Sequence, residues 1–369
     1  MKNLIFLILT LLAWPGRCES APAAAEAAVP DGEWAVVNTS SVFMRGEASY
    51  TAENVSQSRM GTPVQVLART GYWVKIRTPE PYEGWVNELT LAPYPADYRN
   101  SKRYICVREH SFVYAEPSLG AARLSDLSMS DIVRAGEAAG KGGASAGKAS
   151  GQDGASAGQD KDGWAAVQLW DGRSGWVPAA DVADFAEWME DSEYRAQGWS
   201  QKTPKTRLTP GSESGLVSKS AKNATNPSGP AAESLAAEVV ATARLFLGSP
   251  YMWGGMSAGL FDCSGLVGFC YFMAGIQLPR DASQQIGCGV PVAFEDMQAG
   301  DLVFFGEKKV GHVALCTGPG RIIHSSQIVR ENSLVPGEPD YYGRHIIGIR
   351  RIIGHLPQEN FIKNSHLYF

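Results

Sequence analysis

The sequence predicts two small all-β barrels followed by an α+β domain built on an antiparallel sheet. Three observations predict it. Two stretches before residue 190 repeat one pattern of short alternating strands, each closing on Gly-Trp-Val. A Ser, Thr, Pro, Lys and Gly-rich stretch at 197–229 has the composition of a linker. Beyond it, two helical patterns precede a series of short apolar runs, the order expected of an α+β domain with an antiparallel sheet. A chain of 369 residues is also long for a single core.

The formal net charge is -5, with no long acidic or basic run, and gives no electrostatic footprint for nucleic acid or an anionic membrane surface. At the N-terminus Lys2 and Asn3 precede an apolar run from Leu4 to Ala13, too short to span a bilayer and polarised like a signal peptide. The expectation is a signal peptide over 1–20, cleavage before Ala21, no transmembrane segment after cleavage, and a periplasmic or surface location. Cys18 as a lipoprotein cysteine is the alternative, which the charged Arg17 before it fits poorly. The five remaining cysteines, Cys106, Cys263, Cys270, Cys288 and Cys316, form no CxxC pair. Their spacing suggests no zinc site. An odd number of cysteines in an oxidising compartment leaves at least one free thiol to account for.

The first β module runs over 31–95 and carries "VVNTSSVFMRGEAS", "GTPVQVL" and "GYWVKIRTPEPYEGWV". The second, over 102–185, carries "YICVREHSFVYAEPS", "MSDIVRAG" and "DGWAAVQLWDGRSGWV". Trp73 and Trp85 are separated by the same interval as Trp164 and Trp176. Alternation such as Trp73, Lys75 and Arg77 against Val74 and Ile76 describes half-buried strands. Both copies resemble bacterial SH3-like domains, which implies two barrels whose tryptophans mostly fill the cores. Residues 137–163 interrupt the second copy with Gly, Ala, Ser, Lys and Asp and lack the apolar surface to fold.

The domain over 231–369 begins with a helix predicted from Ala231 to Leu247, stopping near Gly248 and Pro250. A second helix is predicted from Cys263 to Ala274, where Cys263, Leu266, Val267, Cys270, Tyr271 and Ala274 share one apolar face. Asp262 can cap it. A thiolate at Cys263 would then face unpaired backbone N–H groups and the positive end of the helix dipole, which lowers a thiol pKa. A cysteine at a helix start is as readily a buried structural residue, so a base is required. His312 opens the apolar run "HVALC", and His324 follows in "RIIHSS", where the next antiparallel strand can bring the two together. Cysteine, histidine and a second polar group that orients the imidazole are the parts of nucleophilic acyl transfer.

In order from Pro250 to Ser326, "PYMWGG", "FDCSG", "LPRDASQQ", "AGDLVFF", "GHVAL" and "IIHSS" resemble the NlpC-type cell-wall peptidases, a papain-like family. The resemblance implies Cys263 as nucleophile, His312 as base and His324 as the group orienting the base, with substrate contacts from Asp262, Ser264 and the Arg280 to Ser283 segment. It also implies hydrolysis of the bond between D-glutamate and an L-diamino acid in peptidoglycan stem peptides or muropeptides, with no metal or organic cofactor needed. The two modules ahead of the domain resemble the subgroup acting on fragments with a free N-terminal L-alanine, in which an SH3-like module completes the binding site.

Two module residues are candidates for that role. Tyr114 stands where the first copy has Arg45, an aromatic expected at an exposed turn. Glu83, before Gly-Trp-Val, offers a carboxylate to a substrate ammonium group. The bland alternatives are a surface tyrosine and a solvated glutamate. Competing readings of the whole chain are an endopeptidase on intact sacculus anchored by the modules, and a catalytically inert wall-binding protein. A metallohydrolase is disfavoured by the absence of HExxH.

Overall fold

The computed structural model describes residues 27–28, 32–136, 163–196 and 230–369. The expected signal peptide, Cys18, the linker and, apart from Gly163, the insertion lie outside the described residues. Both modules are antiparallel sheets with one connectivity. In spatial order the first is Asn54–Arg59, Ser41–Arg45, Glu83–Asn87, Trp73–Arg77, Pro63–Thr70, Trp34–Val37 and Leu91–Pro93. The second is Arg123–Ser128, His110–Tyr114, Ser174–Pro178, Trp164–Gln168, Ile132–Ala135, Arg103–Cys106 and Val182–Asp184, strand for strand the same path. Arg45 pairs with Trp85, and Tyr114 with Trp176, next to a bulge at the same place in each copy. The repeat is therefore structural and not only a coincidence of tryptophans.

The tryptophans do not fill the first barrel. Its interior is Val37, Val42, Met44, Val64, Val66, Val74, Ile76 and Val86, while Trp73 and Trp85 pack with Ala68 in a separate cluster. Successive strand residues point to opposite faces, so a strand that sends Val74 and Ile76 inward must send Trp73 outward. Branched aliphatic side chains suit the narrow interior.

The modules meet through their equivalent turns. Ile132 N–H donates to Met60 O at 3.0 Å, and a Cβ on Gly61, whose φ is +81°, would lie 2.3 Å from Ile132 O. Only glycine permits that approach. Fully buried Tyr98 donates to Gly61 O at 2.6 Å and packs on Trp170. The buried Asp131 carboxylate accepts from Met60 N–H, Ser128 N–H and the Ser40 hydroxyl, tying both modules to one group.

Helix α1, Phe185–Ala196, leaves the second module, capped by Asp184, which accepts from Ala186 and Glu187 N–H. It packs on α2, Pro230–Arg244. A short hairpin, Met256–Ser257 with Leu260–Phe261, leads into α3, Cys263–Met273. A single turn, α4 (Ala282–Gln285), follows. The six-stranded sheet has the order Val290–Pro291, Ile346–Arg351, Leu302–Gly306, Val310–Gly318, Arg321–Ser326 and Ile328–Ser333, and every pair is antiparallel.

Helix α3 is buried on more than the one face its spacing predicts. Leu266, Val267, Phe269, Cys270, Tyr271, Phe272 and Met273 are all inaccessible or nearly so. One side packs on the sheet. On another, the Arg59 guanidinium lies 3.8 Å from the Phe272 ring centroid, and the Trp188 indole N–H donates to Met273 O. A helix apolar all round belongs inside a protein, and here the modules supply the extra cover. One continuous apolar core runs from Val36 and Met60 through Tyr98 to α3 and the sheet.

Replacing Asp131 by alanine leaves the Met60 and Ser128 N–H groups without their acceptor. The expected loss is about 2–4 kcal/mol, seen as a lower midpoint in thermal unfolding, with a smaller loss for Asp131→Asn, which keeps an acceptor oxygen.

Candidate active site

Helix α3 begins where two backbone segments almost touch. A Cβ on Gly265 would lie 1.9 Å from Gly255 O, so the glycine of "DCSG" is a steric requirement of packing the helix start on the preceding loop. Asp262 caps the helix from an extended conformation and accepts from Gly265 N–H at 2.7 Å. Cys263 follows as the first helical residue, partly exposed, with the backbone of Ser264 and of Val313, the neighbour of His312, near enough to its thiol to favour the thiolate.

His312 and His324 stand on adjacent strands of the sheet, both buried. Their tautomers follow from the hydrogen bonds around them. Asn332 donates through its amide nitrogen to Asp340 O at 2.6 Å, which turns its carbonyl oxygen toward His324. That oxygen only accepts, so His324 carries its proton on Nε2 and donates at 3.0 Å. Neutral His324 then offers a lone pair at Nδ1, and His312 Nε2–H donates to it at 2.7 Å. The remaining nitrogen of His312, Nδ1, is left unprotonated. The arrangement Asn332–His324–His312 thus delivers a base with its free lone pair defined.

Burial keeps this chain uncharged at rest. It lowers the His312 pKa to about 3, with the neighbouring His324 and the Arg344 and Arg330 guanidinium groups acting in the same direction. It lowers His324 to about 4, against the Asn332 hydrogen bond. The Cys263 thiol departs from expectation. Burial pushes it up and the Asp262 carboxylate adds to this, outweighing the Val313 and Ser264 backbone groups and Arg280, which pull it down. The helix start alone suggests a lowered thiol, but it sits under packed side chains beside a carboxylate. For each group taken singly, burial favours the neutral form, the form from which a proton can pass as sulfur attacks.

Asp262 is more heavily engaged than a simple cap. Its carboxylate also accepts from Gly254 N–H, from the Ser264 hydroxyl and from both terminal nitrogens of Arg280, which is itself buried. Ser264, buried, accepts from Arg280 in turn. Ser283 is exposed on α4.

The two module residues singled out from sequence fare differently from one another. Tyr114 is buried and packs edge-on against Trp164, 5.5 Å between centroids, so it is not the exposed turn aromatic expected. Its pairing with Trp176 makes it a strand residue, and the ring covers the second module's own tryptophan. Glu83 is exposed, but its carboxylate is held by Arg77 at 2.6 Å and Lys75 at 3.3 Å, which also lower its pKa. A module residue whose electrostatic surroundings include the helix start is Tyr82, which packs against the first module's own core. It is half-buried, and its hydroxyl feels Asp281, Arg280, Asp262 and Glu53. Tyr251 stands beside Cys263 and Asp262, its pKa raised to about 12, mainly by burial. Trp253, in the loop ahead of α3, is solvent-exposed. No sequence signal singles out Tyr82, whose place in "PEPYEG" suits a ring packed on the barrel core.

Residues 248–351 match the NlpC/P60 family, and residues 40–92 match the bacterial SH3 domain. Among curated proteins the chain is similar to a γ-D-glutamyl-L-lysine dipeptidyl-peptidase of Bacillus cereus, 40% identical over 31% of this chain and 36% of that one. The protein of that name in Bacillus subtilis is 36% identical over 31% of this chain and 40% of its own. A murein DD-endopeptidase of Escherichia coli is 36% identical over 29% of this chain and 42% of its own. The chain therefore spans less than half the length of these relatives. A crystal structure of an NlpC/P60 family protein from Bacillus cereus covers 87% of this chain and 99% of its own, with a TM-score of 0.59 at 21% identity, a likeness of fold.

The two buried imidazoles set a pH dependence of stability. Unfolded, each takes up a proton below its ordinary value near 6.5, whereas folded they stay neutral to about 4 and about 3. Stability is thus fully present above pH 6.5 and is lost as pH falls toward 4, because only the unfolded chain gains protons in that window. Thermal midpoints measured from pH 7 to pH 4 should fall, and His324→Gln should flatten the fall.

Proposed function

We propose that this chain, which carries an NlpC/P60 domain behind a bacterial SH3 domain and its structural repeat, is an exported cysteine peptidase. Its substrate is the stem peptide of peptidoglycan, cut between D-glutamate and the L-diamino acid. The observation that carries this reading is the Asn332–His324–His312 relay, which leaves one lone pair of His312 free on the strand residue next to Val313, whose backbone meets the Cys263 thiol. In the reaction His312 takes the thiol proton while sulfur adds to the scissile carbonyl carbon. The tetrahedral oxyanion collapses as the diamino acid amine leaves with the proton returned from His312, and water then releases the acyl group by the same relay. The names of the Bacillus relatives support the bond. Among the described residues no helix is long and apolar enough to cross a membrane.

A free L-alanine terminus on the substrate fits the rim. A small cationic end group entering beside Tyr82 would be drawn to Asp281 and Glu53, two acidic groups whose charges reach the Tyr82 hydroxyl. The first module contributes Tyr82 and Glu53 and the peptidase domain contributes Asp281, so the amine is read by a composite surface. Glu83 and Tyr114, occupied elsewhere in the modules, are assigned no part in it. The alternative, an endopeptidase on intact sacculus, requires a rim open to blocked chain ends.

Cys263→Ala should remove hydrolysis while the protein stays folded, and His312→Ala should cost at least about 10²-fold in kcat. His324→Ala should cost less, since it orients the base instead of moving the proton. Activity surviving Cys263→Ala would remove the nucleophile assignment.

Mass spectrometry of products from L-Ala-γ-D-Glu-diamino acid peptides, with the N-terminus free or acetylated, reads bond and selectivity together. Cleavage after D-glutamate, selective for the free amine and weakened in KM by Tyr82→Ala, is expected. Equal cleavage of both peptides and of purified sacculi would favour the endopeptidase.

A further inference from the structure

The two modules share one fold, yet one pair of equivalent positions behaves in opposite ways. By strand register Ser56 and Gln57 of the first module correspond to Ser125 and Asp126 of the second. Asp126 is exposed, its side chain at 69%, as expected on the outer strand of a small barrel. Ser56 and Gln57 are both at 0%. What covers them is the peptidase domain. Gln57 Oε1 accepts from Met256 N–H at 2.8 Å, Ser257 N–H at 3.2 Å and the Ser257 hydroxyl at 3.0 Å. Ser56 Oγ accepts from Arg280 Nε at 2.9 Å. Asn54, on the same strand, donates to Trp253 O at 2.9 Å, and a Cβ on Gly254 would lie 2.6 Å from Asn54 O.

These contacts converge on the segment that presents the nucleophile. Met252 N–H donates to Phe261 O and Asp262 N–H to Gly255 O, so the loop held by Gln57 is closed on the residue before Cys263. Arg280, held by Ser56, grips the Asp262 carboxylate and the Ser264 hydroxyl on either side of Cys263.

We propose that Ser56 and Gln57 of the first module are positioning residues for the nucleophile: they hold the Met252–Asp262 loop and Arg280, and through them the cap and first turn of α3. The inference rests on Cys263 being the nucleophile. It goes beyond the composite rim, because a residue that positions the thiol affects kcat on every substrate, whereas a residue that reads the chain end affects KM for free-amine peptides. Without Gln57 three donors of the loop lose their shared acceptor. Without Ser56 the buried guanidinium loses its Nε partner, and the loop is free to shift by the few tenths of an ångström that nucleophile geometry does not tolerate.

The test uses the full-length protein and two readouts. In Gln57→Ala, kcat with L-Ala-γ-D-Glu-L-Lys should fall about tenfold or more, with KM within about threefold, and Ser56→Ala should act in the same direction. Gln57→Glu keeps an oxygen in place of Oε1 and should restore most of the rate. Should alanine at 57 prevent folding, Gln57→Asn, which withdraws the acceptor by one methylene, replaces it. Iodoacetamide labelling of Cys263 against pH needs no substrate, so it reports positioning even if a different peptide bond proves to be the one cleaved. Its midpoint should move in Gln57→Ala and Ser56→Ala and stay in place in Asp131→Ala, which destabilises the modules without touching this strand's contacts to the loop. The proposal is overturned if both alanine variants keep wild-type kcat and labelling profile, if their loss lies wholly in KM, or if Asp131→Ala shifts the labelling midpoint equally.

Discussion

The buried ion pair between Asp262 and Arg280 is the constraint on which the site depends. A carboxylate and a guanidinium removed from water at the start of a helix are costly unless their hydrogen bonds are filled, and removing one partner of such a pair typically costs about 3–5 kcal/mol. Here all three guanidinium nitrogens and both carboxylate oxygens are engaged. Asp262 accepts from two backbone amides, a serine hydroxyl and two guanidinium nitrogens, and the third guanidinium nitrogen reaches Ser56. Because those partners come from the loop, the helix, the segment before α4 and the first module, satisfying one ion pair fixes four pieces of chain around the thiol.

The histidine relay obeys the opposite electrostatic rule. His312 and His324 are buried without a carboxylate to stabilise a positive charge, and both are held neutral by that burial. Neutral imidazoles next to one another have definite donors and acceptors, and the Asn332 amide, fixed by Asp340 O, sets the direction of the whole chain. Charge is then present at the helix start, and burial disfavours it at the two imidazoles. A low-dielectric surrounding makes each of these orientations worth more than it would be in water.

The modules show how duplication permits division of labour. With the same strand path, the first turns a polar edge toward the loop before the nucleophile, while the second carries α1 against α2 and α3. The junction between them is itself polar and specific, through Asp131 and the Gly61 turn, and the apolar core continues across it. The peptidase domain is consequently covered on a face of α3 that would otherwise present Phe272 and Met273 to water.

The sequence by itself determined the kinds of domain and the reacting groups. Repeated Gly-Trp-Val segments with period-two alternation specify the barrels, and a capped cysteine, two histidines on successive apolar runs and the ordered motifs around them specify the peptidase fold and mark the proposed nucleophile. Those signals are local, since period, caps and turns act within a few residues. What only the tertiary structure decided depends on groups far apart in the chain. The tautomer of His312 depends on Asn332, the thiol is pushed up because packing buries it beside Asp262, and Tyr82 rather than Tyr114 feels the charges at the start of α3 because the first module docks there while the second packs through α1. Ser56 and Gln57 read as ordinary outer-strand residues, as their counterparts in the second module are. Burial and hydrogen-bond direction are properties of the assembled surroundings, and no local pattern in "NVSQSR" encodes the loop that covers it.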